Sequence, residues 1–293
     1  MTNCKSSTCL RLGALASAFV APAAAAGCDR STLIETTSRY VAAQSLGEIR
    51  YLQGLTANTT YTENANATAI GAGILSRALK IDHSRSIHDT TACSTYTELI
   101  IADPAHPYVI GTQIRLAADG GGWNGTGIAK VETIVTEAGD WLFNPQHTLH
   151  YTLAEAWDPV PEAQRDTRET IQAAADAYLD LFRKGPGSVD VPWADGCRRL
   201  EGGLYTAPGD TCISGVPTGV ELVNRRYVID EVLGSVDVFM SFGGGESGSG
   251  LPDSHQFRIE NGKIRFIHTI THCFQPNCGF GDPPAELGQD VGY

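Results

Sequence analysis

Apolar residues recur at helical spacing in two places along the chain, and each time strand-like segments follow. In residues 32–55 they line one side of an amphipathic helix. In the second stretch Ile171, Ala174, Ala175, Tyr178, Leu179 and Phe182 do the same, until Gly185, Pro186 and Gly187 end the pattern. After the first helix and a polar irregular stretch, residues 98–102, 108–116, 127–137 and 141–153 read as β-segments. After the second, residues 193–206 with Cys212 and Pro217 read as a long loop, followed by strands at 220–229, 235–242, 254–260 and 263–272.

The two halves share further punctuation. Each has a Gly-rich connection (119–127 and 243–250), then a tight turn (Glu137-Ala138-Gly139-Asp140 and Glu260-Asn261-Gly262-Lys263), then a His-Thr ending at His147-Thr148 and His268-Thr269. The repetition predicts a duplicated unit: residues 27–156, a linker at 157–168, a second unit at 169–273 and a Pro- and Gly-rich tail at 274–293. Helix first and curved antiparallel sheet afterwards is the order of an α+β roll, in which a sheet wraps a helix and leaves a pocket.

The N-terminal segment changes the picture of where such a chain matures. Lys5 and Arg11 precede an apolar run at 12–20, and Ala23 to Ala26 offer small residues, so residues 1–26 read as a cleaved signal peptide. The uncharged run is short of the ~20 residues a spanning helix needs, which predicts a secreted chain without a membrane tether. The chain has 21 Lys+Arg against 33 Asp+Glu, a net charge of -12, and loses two more cations with the leader. That balance argues against nucleic acid as a partner.

Six cysteines remain after the leader, Cys28, Cys93, Cys197, Cys212, Cys273 and Cys278, and an even number suits disulfides. Of the possible pairings, only Cys197 with Cys212 is expected from the sequence, across a turn-rich loop; the others stay open. There is no CxxC pair to indicate zinc. Sequons at Asn58, Asn66 and Asn124 fit glycosylation on a secretory route.

The plan resembles a tandem pair of SnoaL-like folds, the ketosteroid-isomerase-like cone. The segments Cys197-Arg198-Arg199-Leu200-Glu201-Gly202-Gly203-Leu204-Tyr205-Thr206, Arg225-Arg226-Tyr227-Val228-Ile229-Asp230 and Pro252-Asp253-Ser254-His255-Gln256-Phe257-Arg258 resemble a group of secreted fungal proteins of unsettled function. The resemblance implies two cones, each a curved antiparallel sheet around N-terminal helices. It also implies a pocket for a small apolar molecule and chemistry without a cofactor: cyclisation, isomerisation or a pericyclic, Diels–Alder-type step in secondary metabolism.

Candidate chemistry gathers at the last hairpin. Asn261-Gly262 is a strong type I′ signal, because both turn residues need positive φ. Counting outward pairs Glu260 with Lys263, Ile259 with Ile264, Phe257 with Phe266 and His255 with His268, and places Asp253 opposite Ile270. Strand alternation then gathers Asp253, His255, His268 and His272 on one face beside Phe257 and Phe266. A carboxylate next to imidazoles is an acid/base arrangement; the alternative is a His pair that only fills space, and nothing in the spacing singles out a metal. Arg199, Glu201 and Tyr205 are expected either at the pocket mouth or in a structural ion pair. Arg226, Tyr227 and Asp230 read as an inward-facing set with Asp230 as base or, with more weight, as a salt-bridge ladder. His147 and His150 fall on opposite faces of a strand, and Trp141 and Phe143 read as core. With no nucleophile elbow and no phosphate-loop lysine, two readings remain: a cofactor-independent cyclase or isomerase, and a secreted non-catalytic binding protein.

Overall fold

The computed structural model describes residues 28–117, 127–206, 212, 215–245 and 249–280. The leader, the Asn124 sequon and the last 13 residues of the tail lie outside the described residues. In chain order the elements are α1 (Arg30–Leu46), β1 (Thr60–Glu63), β2 (Asn66–Ala67), β3 (His83–Asp89), β4 (Ser94–Ile101), β5 (Tyr108–Leu116), β6 (Ile128–Thr136) and α2 (Pro145–Ala154). They continue with α3 (Arg168–Lys184), β7 (Trp193–Glu201), β8 (Leu204–Tyr205), β9 (Leu222–Asp230), β10 (Ser235–Phe242), β11 (Leu251–Glu260) and β12 (Lys263–Thr271).

The same topology occurs twice. One sheet runs β2-β1-β6-β5-β4-β3 and the other β8-β7-β12-β11-β10-β9, with β1 parallel to β6 and β7 parallel to β12 and every other pair antiparallel. The copying extends to irregularities, since each sheet has a bulge at the same place, between Arg115 and Leu116 and between Arg258 and Ile259. Two tandem α+β units, each a mixed sheet on a helix, are therefore established by the sheets themselves.

Each sheet is covered on both faces. On one face α1 presses Leu33, Tyr40 and Ala43 onto Leu99, Ile110, Ile114 and Val131, and α3 presses Ile171, Tyr178 and Phe182 onto Val236, Val238, Phe257 and Ile267. Side chains of this size stabilise by roughly 1.5–3 kcal/mol each when fully buried. On the opposite faces the two sheets meet each other through Ile87, Tyr96, Ile100, Phe239 and Ile270. Two-sided burial explains why β4 and β10 carry almost no alternation of exposed and buried positions.

Reciprocal ion pairs lock the units together. Arg30, the first residue of α1, makes two 2.8 Å bonds to Asp230 at the end of β9, and Asp230 also accepts from the His88 backbone amide of the first unit. In the matching place Arg168, the first residue of α3, makes two 2.7 Å bonds to Asp89 at the end of β3, and Asp89 accepts from the Ile229 amide of the second unit. Both carboxylates are fully buried. Three disulfides add cross-links: Cys28–Cys93, Cys197–Cys212 and Cys273–Cys278. No helix among the described residues is long and apolar enough to cross a membrane.

Two segments differ from the sequence reading. Residues 145–154 form a helix, not a strand, because Asn144 caps it by accepting from the His147 amide and Pro145 sits where its missing N–H costs nothing. His147 and His150 therefore stand on a helix. Residues 193–201 are a strand rather than part of a loop; β7 lies parallel to β12, and Gly196 (φ 68°) sits within its irregular first half.

Candidate functional site

Asn261 (φ 53°) and Gly262 (φ 71°) form the expected turn, and Glu260 pairs with Lys263 and Ile259 with Ile264. The bulge after Arg258 then slips the register, so His255 lies opposite Thr269, Gln256 opposite His268, Phe257 opposite Ile267 and Asp253 opposite Thr271. A one-residue slip exchanges faces. Asp253, His255 and Phe257 face α3, whereas His268 and Phe266 face the first unit. His272 lies past the end of β12, its Nδ1 3.1 Å from Asp140. The four-residue cluster is thus divided among three places.

The α3 side holds a cavity of about 200 Å³. Phe182, Phe242, Leu251, Val216 and Pro217 give it apolar walls; Trp141 from the first unit and Phe280 from the C-terminal segment close one side, ring to ring at 5.3 Å. Trp141 is therefore part of the site and not core. The polar part of the wall is His255, Thr269, Thr271, Arg199 and Glu201. His255 is 2% exposed, packed against Tyr178, Phe182 and Phe257. Its Nδ1 stands 2.9 Å from Asp253 Oδ2 without the alignment of a hydrogen bond. Thr271 donates to the other Asp253 oxygen at 2.6 Å and so fixes the carboxylate.

Arg199 and Glu201 form a closed arrangement on β7. Arg199 Nε lies 2.7 Å from Glu201 and 2.8 Å from the Thr206 hydroxyl, and its Nη1 donates to the Cys212 carbonyl at 2.9 Å. Burial works against the Arg199 charge, but Tyr178 and Glu201 outweigh it and raise its pKa. Glu201 in turn accepts from the Trp141 indole at 2.8 Å, which ties the first unit to the cavity wall.

The other polar cluster lies between the sheets. His268 Nε2 is 2.6 Å from Glu155 at the end of α2, and its Nδ1 is 3.0 Å from Glu98 on β4. Arg85 on β3 bonds Glu98 at 2.6 Å and Gln256 at 3.1 Å, with its guanidinium 3.8 Å over the Trp157 ring. Burial pulls His268 down, but Glu155 and Glu98 overcome it and lift its pKa to about 9. Burial pushes Glu98 up, but Arg85 and His268 bring it down to about 2. Two cations and two anions balance here, each hydrogen-bonded and buried, which gives a cross-unit tie. Arg85, Glu98 and Glu155 had no signal in the sequence: each becomes a partner only when the second sheet packs on the first.

The remaining candidates do not line the α3-side cavity. Tyr205 donates to Glu155 at 3.1 Å and lies against Tyr151, on the interface side. Tyr227 donates to Asp176 at 2.7 Å beside the Arg225–Asp176 and Arg225–Asp180 pairs, so its bond partner lies on α3 and is neither Arg226 nor Asp230. Asp230 accepts from Arg30 and three backbone amides; burial raises its pKa, but the His88 side chain and Arg30 bring it down to about 2. Phe266 packs on Trp157, and Arg226 pairs with Glu132 of the first unit. Asn58 and Asn66 are exposed. No group of three His, Cys, Asp or Glu among the described residues has the geometry to hold a metal.

A family model described as a domain of unknown function, DUF8021, matches residues 164–271, from just before α3 to the last residue of β12. No curated protein matches the sequence. Among solved structures, a protein described as a SnoaL-like polyketide cyclase from Jannaschia sp. CCS1 aligns at 15% identity and a TM-score of 0.23, covering 36% of this chain and 90% of its own. An NTF2-like protein of unknown function from Cytophaga hutchinsonii ATCC 33406 aligns at 11% identity and a TM-score of 0.21, covering 38% of this chain and 95% of its own. Likenesses this distant carry nothing about activity.

Proposed function

We propose that the second unit binds a compact, largely apolar organic molecule and that His255 moves a proton on it without a cofactor, in an isomerisation or cyclisation. The observation that supports this reading is a buried imidazole in the cavity wall with a carboxylate 2.9 Å behind its Nδ1. The Asp253 charge beside Nδ1 favours the tautomer with the proton there, which leaves Nε2 as the base toward the cavity. His255 takes a proton from a carbon beside a ligand carbonyl. The C–H electrons form a C=C bond as the carbonyl pair moves to oxygen; in a ligand with a C=C bond beside that carbon the dienolate takes the proton back at its far end, which gives the isomer. The apolar walls keep water from competing.

A secretory route with cleavage of the leader, and a place in fungal secondary metabolism, belong to the same proposal; the three disulfides fit an oxidising compartment. The second reading, retention of a ligand without reaction, draws on the loose alignment of His255 with Asp253.

The test uses acetophenone in D2O, with exchange of its methyl protons followed by NMR. The intact protein should accelerate exchange, and His255→Gln should reduce the acceleration at least ~100-fold, the usual range for general-base removal. Binding without exchange in the unsubstituted protein would favour retention, and exchange unchanged in His255→Gln would remove His255 from the chemistry.

A further inference from the structure

The cavity of the second unit is lined by a hydroxyl that the fold leaves without a partner. Thr269 is 6% exposed, lies directly across the sheet from His255, lines the cavity, and its hydroxyl makes no hydrogen bond. Buried hydroxyls are almost always bonded, so one left unpaired at a cavity wall marks a place for a ligand atom. The corresponding position in the first unit makes the contrast direct. Register counted from the two bulges matches Thr269 with Thr133 and His255 with Thr112. Thr133 and Thr112 bond each other at 3.0 Å, and Thr112 also bonds Tyr40 at 2.7 Å, so the first unit satisfies the same hydroxyl internally.

The charges around the cavity restrict what could serve as that atom. Arg199 is occupied by Glu201, Thr206 and the Cys212 carbonyl, and Glu201 by Arg199 and the Trp141 indole. A charged ligand would lose its hydration without finding a counter-ion to replace it. We infer that Thr269 is the residue that selects the ligand, its hydroxyl donating to the carbonyl oxygen of a compact, uncharged ketone or enone while His255 faces the neighbouring carbon. Rotation about χ1 exchanges the hydroxyl and methyl of a threonine between staggered positions, so the donor reaches the cavity without any movement of β12.

This inference rests on the proposed pocket, and its test separates the two. Acetophenone and α-methylstyrene have nearly the same shape and differ in a C=O replaced by C=CH2. The full chain should bind both, acetophenone about 10-fold more tightly, as one hydrogen bond in an apolar site gives. Thr269→Val keeps the shape and should abolish that preference while leaving α-methylstyrene affinity unchanged; Thr269→Ser should retain it. A preference that survives in Thr269→Val overturns the selecting role and leaves the pocket standing. Failure of the unsubstituted chain to bind either probe overturns both.

Discussion

Tyr40 and Tyr178 occupy the same turn of α1 and α3, but the two cones above them differ in what their walls contain. In the first unit the register positions facing the helix are Ile110, Thr112, Thr133 and Tyr61, with Tyr61 donating to Glu63 and the threonines bonded to each other and to Tyr40. In the second the matching positions are Asp253, His255, Thr269 and Arg199, around an open cavity. One backbone plan thus serves as a filled core and as a walled site. Small hydroxyls close into a self-contained chain; a longer acid–imidazole pair and a buried guanidinium hold their own neighbours and leave space. The first unit then assists the second from outside, through the Trp141 indole.

Disrupting the symmetric part of the molecule should have the largest effect. Asp89→Ala and Asp230→Ala each strand an arginine and several backbone amides, and each should cost about 3–5 kcal/mol in denaturant unfolding. Equal losses would confirm that the two locks are equivalent, and a loss below ~1 kcal/mol at either would break the comparison.

The next effect comes from the half of the interface that carries His268. With its folded pKa near 9 against 6.5 for a free imidazole, its contribution is complete below pH 6.5 and disappears as pH rises through 9, up to about 3 kcal/mol in all. Asp237, pushed up to about 8 by burial, acts in the same direction: it is ionised in the unfolded chain above about pH 4 but protonated in the fold, so stability falls across pH 4–8. His268→Gln should flatten the dependence above pH 8 in urea unfolding, where Asp237 no longer contributes. Glu132→Gln, at the matching position where Arg226 meets a carboxylate, should change stability equally at pH 6 and pH 9. A high-pH limb that persists in His268→Gln would assign it elsewhere.

The smallest effect is a gain. Asp253→Ile, which copies Ile110, removes a buried carboxylate with one oxygen bonded only by the Thr271 hydroxyl and the other without an aligned hydrogen bond, and should stabilise the protein by about 1 kcal/mol while abolishing proton exchange. A lower melting temperature would mean that Asp253 holds the cone together and does not serve the cavity alone.

The sequence makes the duplication legible because helix spacing, turn residues and Gly-rich connections are local. The Asn261-Gly262 turn is equally plain, but its register is not: the bulge at Arg258 has no residue-level signature, and one slipped position moves His268 to the other face. Its counterpart at Arg115 shows that the slip is part of the repeated plan. Helix α2 carried a readable signal in Asn144-Pro145, outweighed by the aromatic residues before it. Arg30, Arg168, Glu98 and Glu155 stayed invisible because their roles depend on the meeting of two sheets, a contact that no window of sequence contains. Of the cavity itself, His255, Asp253, Arg199 and Glu201 were legible; Thr269 was not, since only comparison of the two folded walls shows its hydroxyl unpaired.

The lock between Arg30 and Asp230 joins residues 200 positions apart. The sheet on α1 is complete only at Thr136, so during synthesis at about 5–20 residues per second it exists for roughly 5–20 s before that partner emerges. Throughout that interval the outer sheet face is bare. That face carries Arg85, Glu98 and Gln113 among its apolar residues, all destined for burial, and a charged surface resists aggregation where a purely hydrocarbon one would promote it. The polar seam between the units is therefore also a provision for the nascent chain, keeping the first cone soluble until the second arrives.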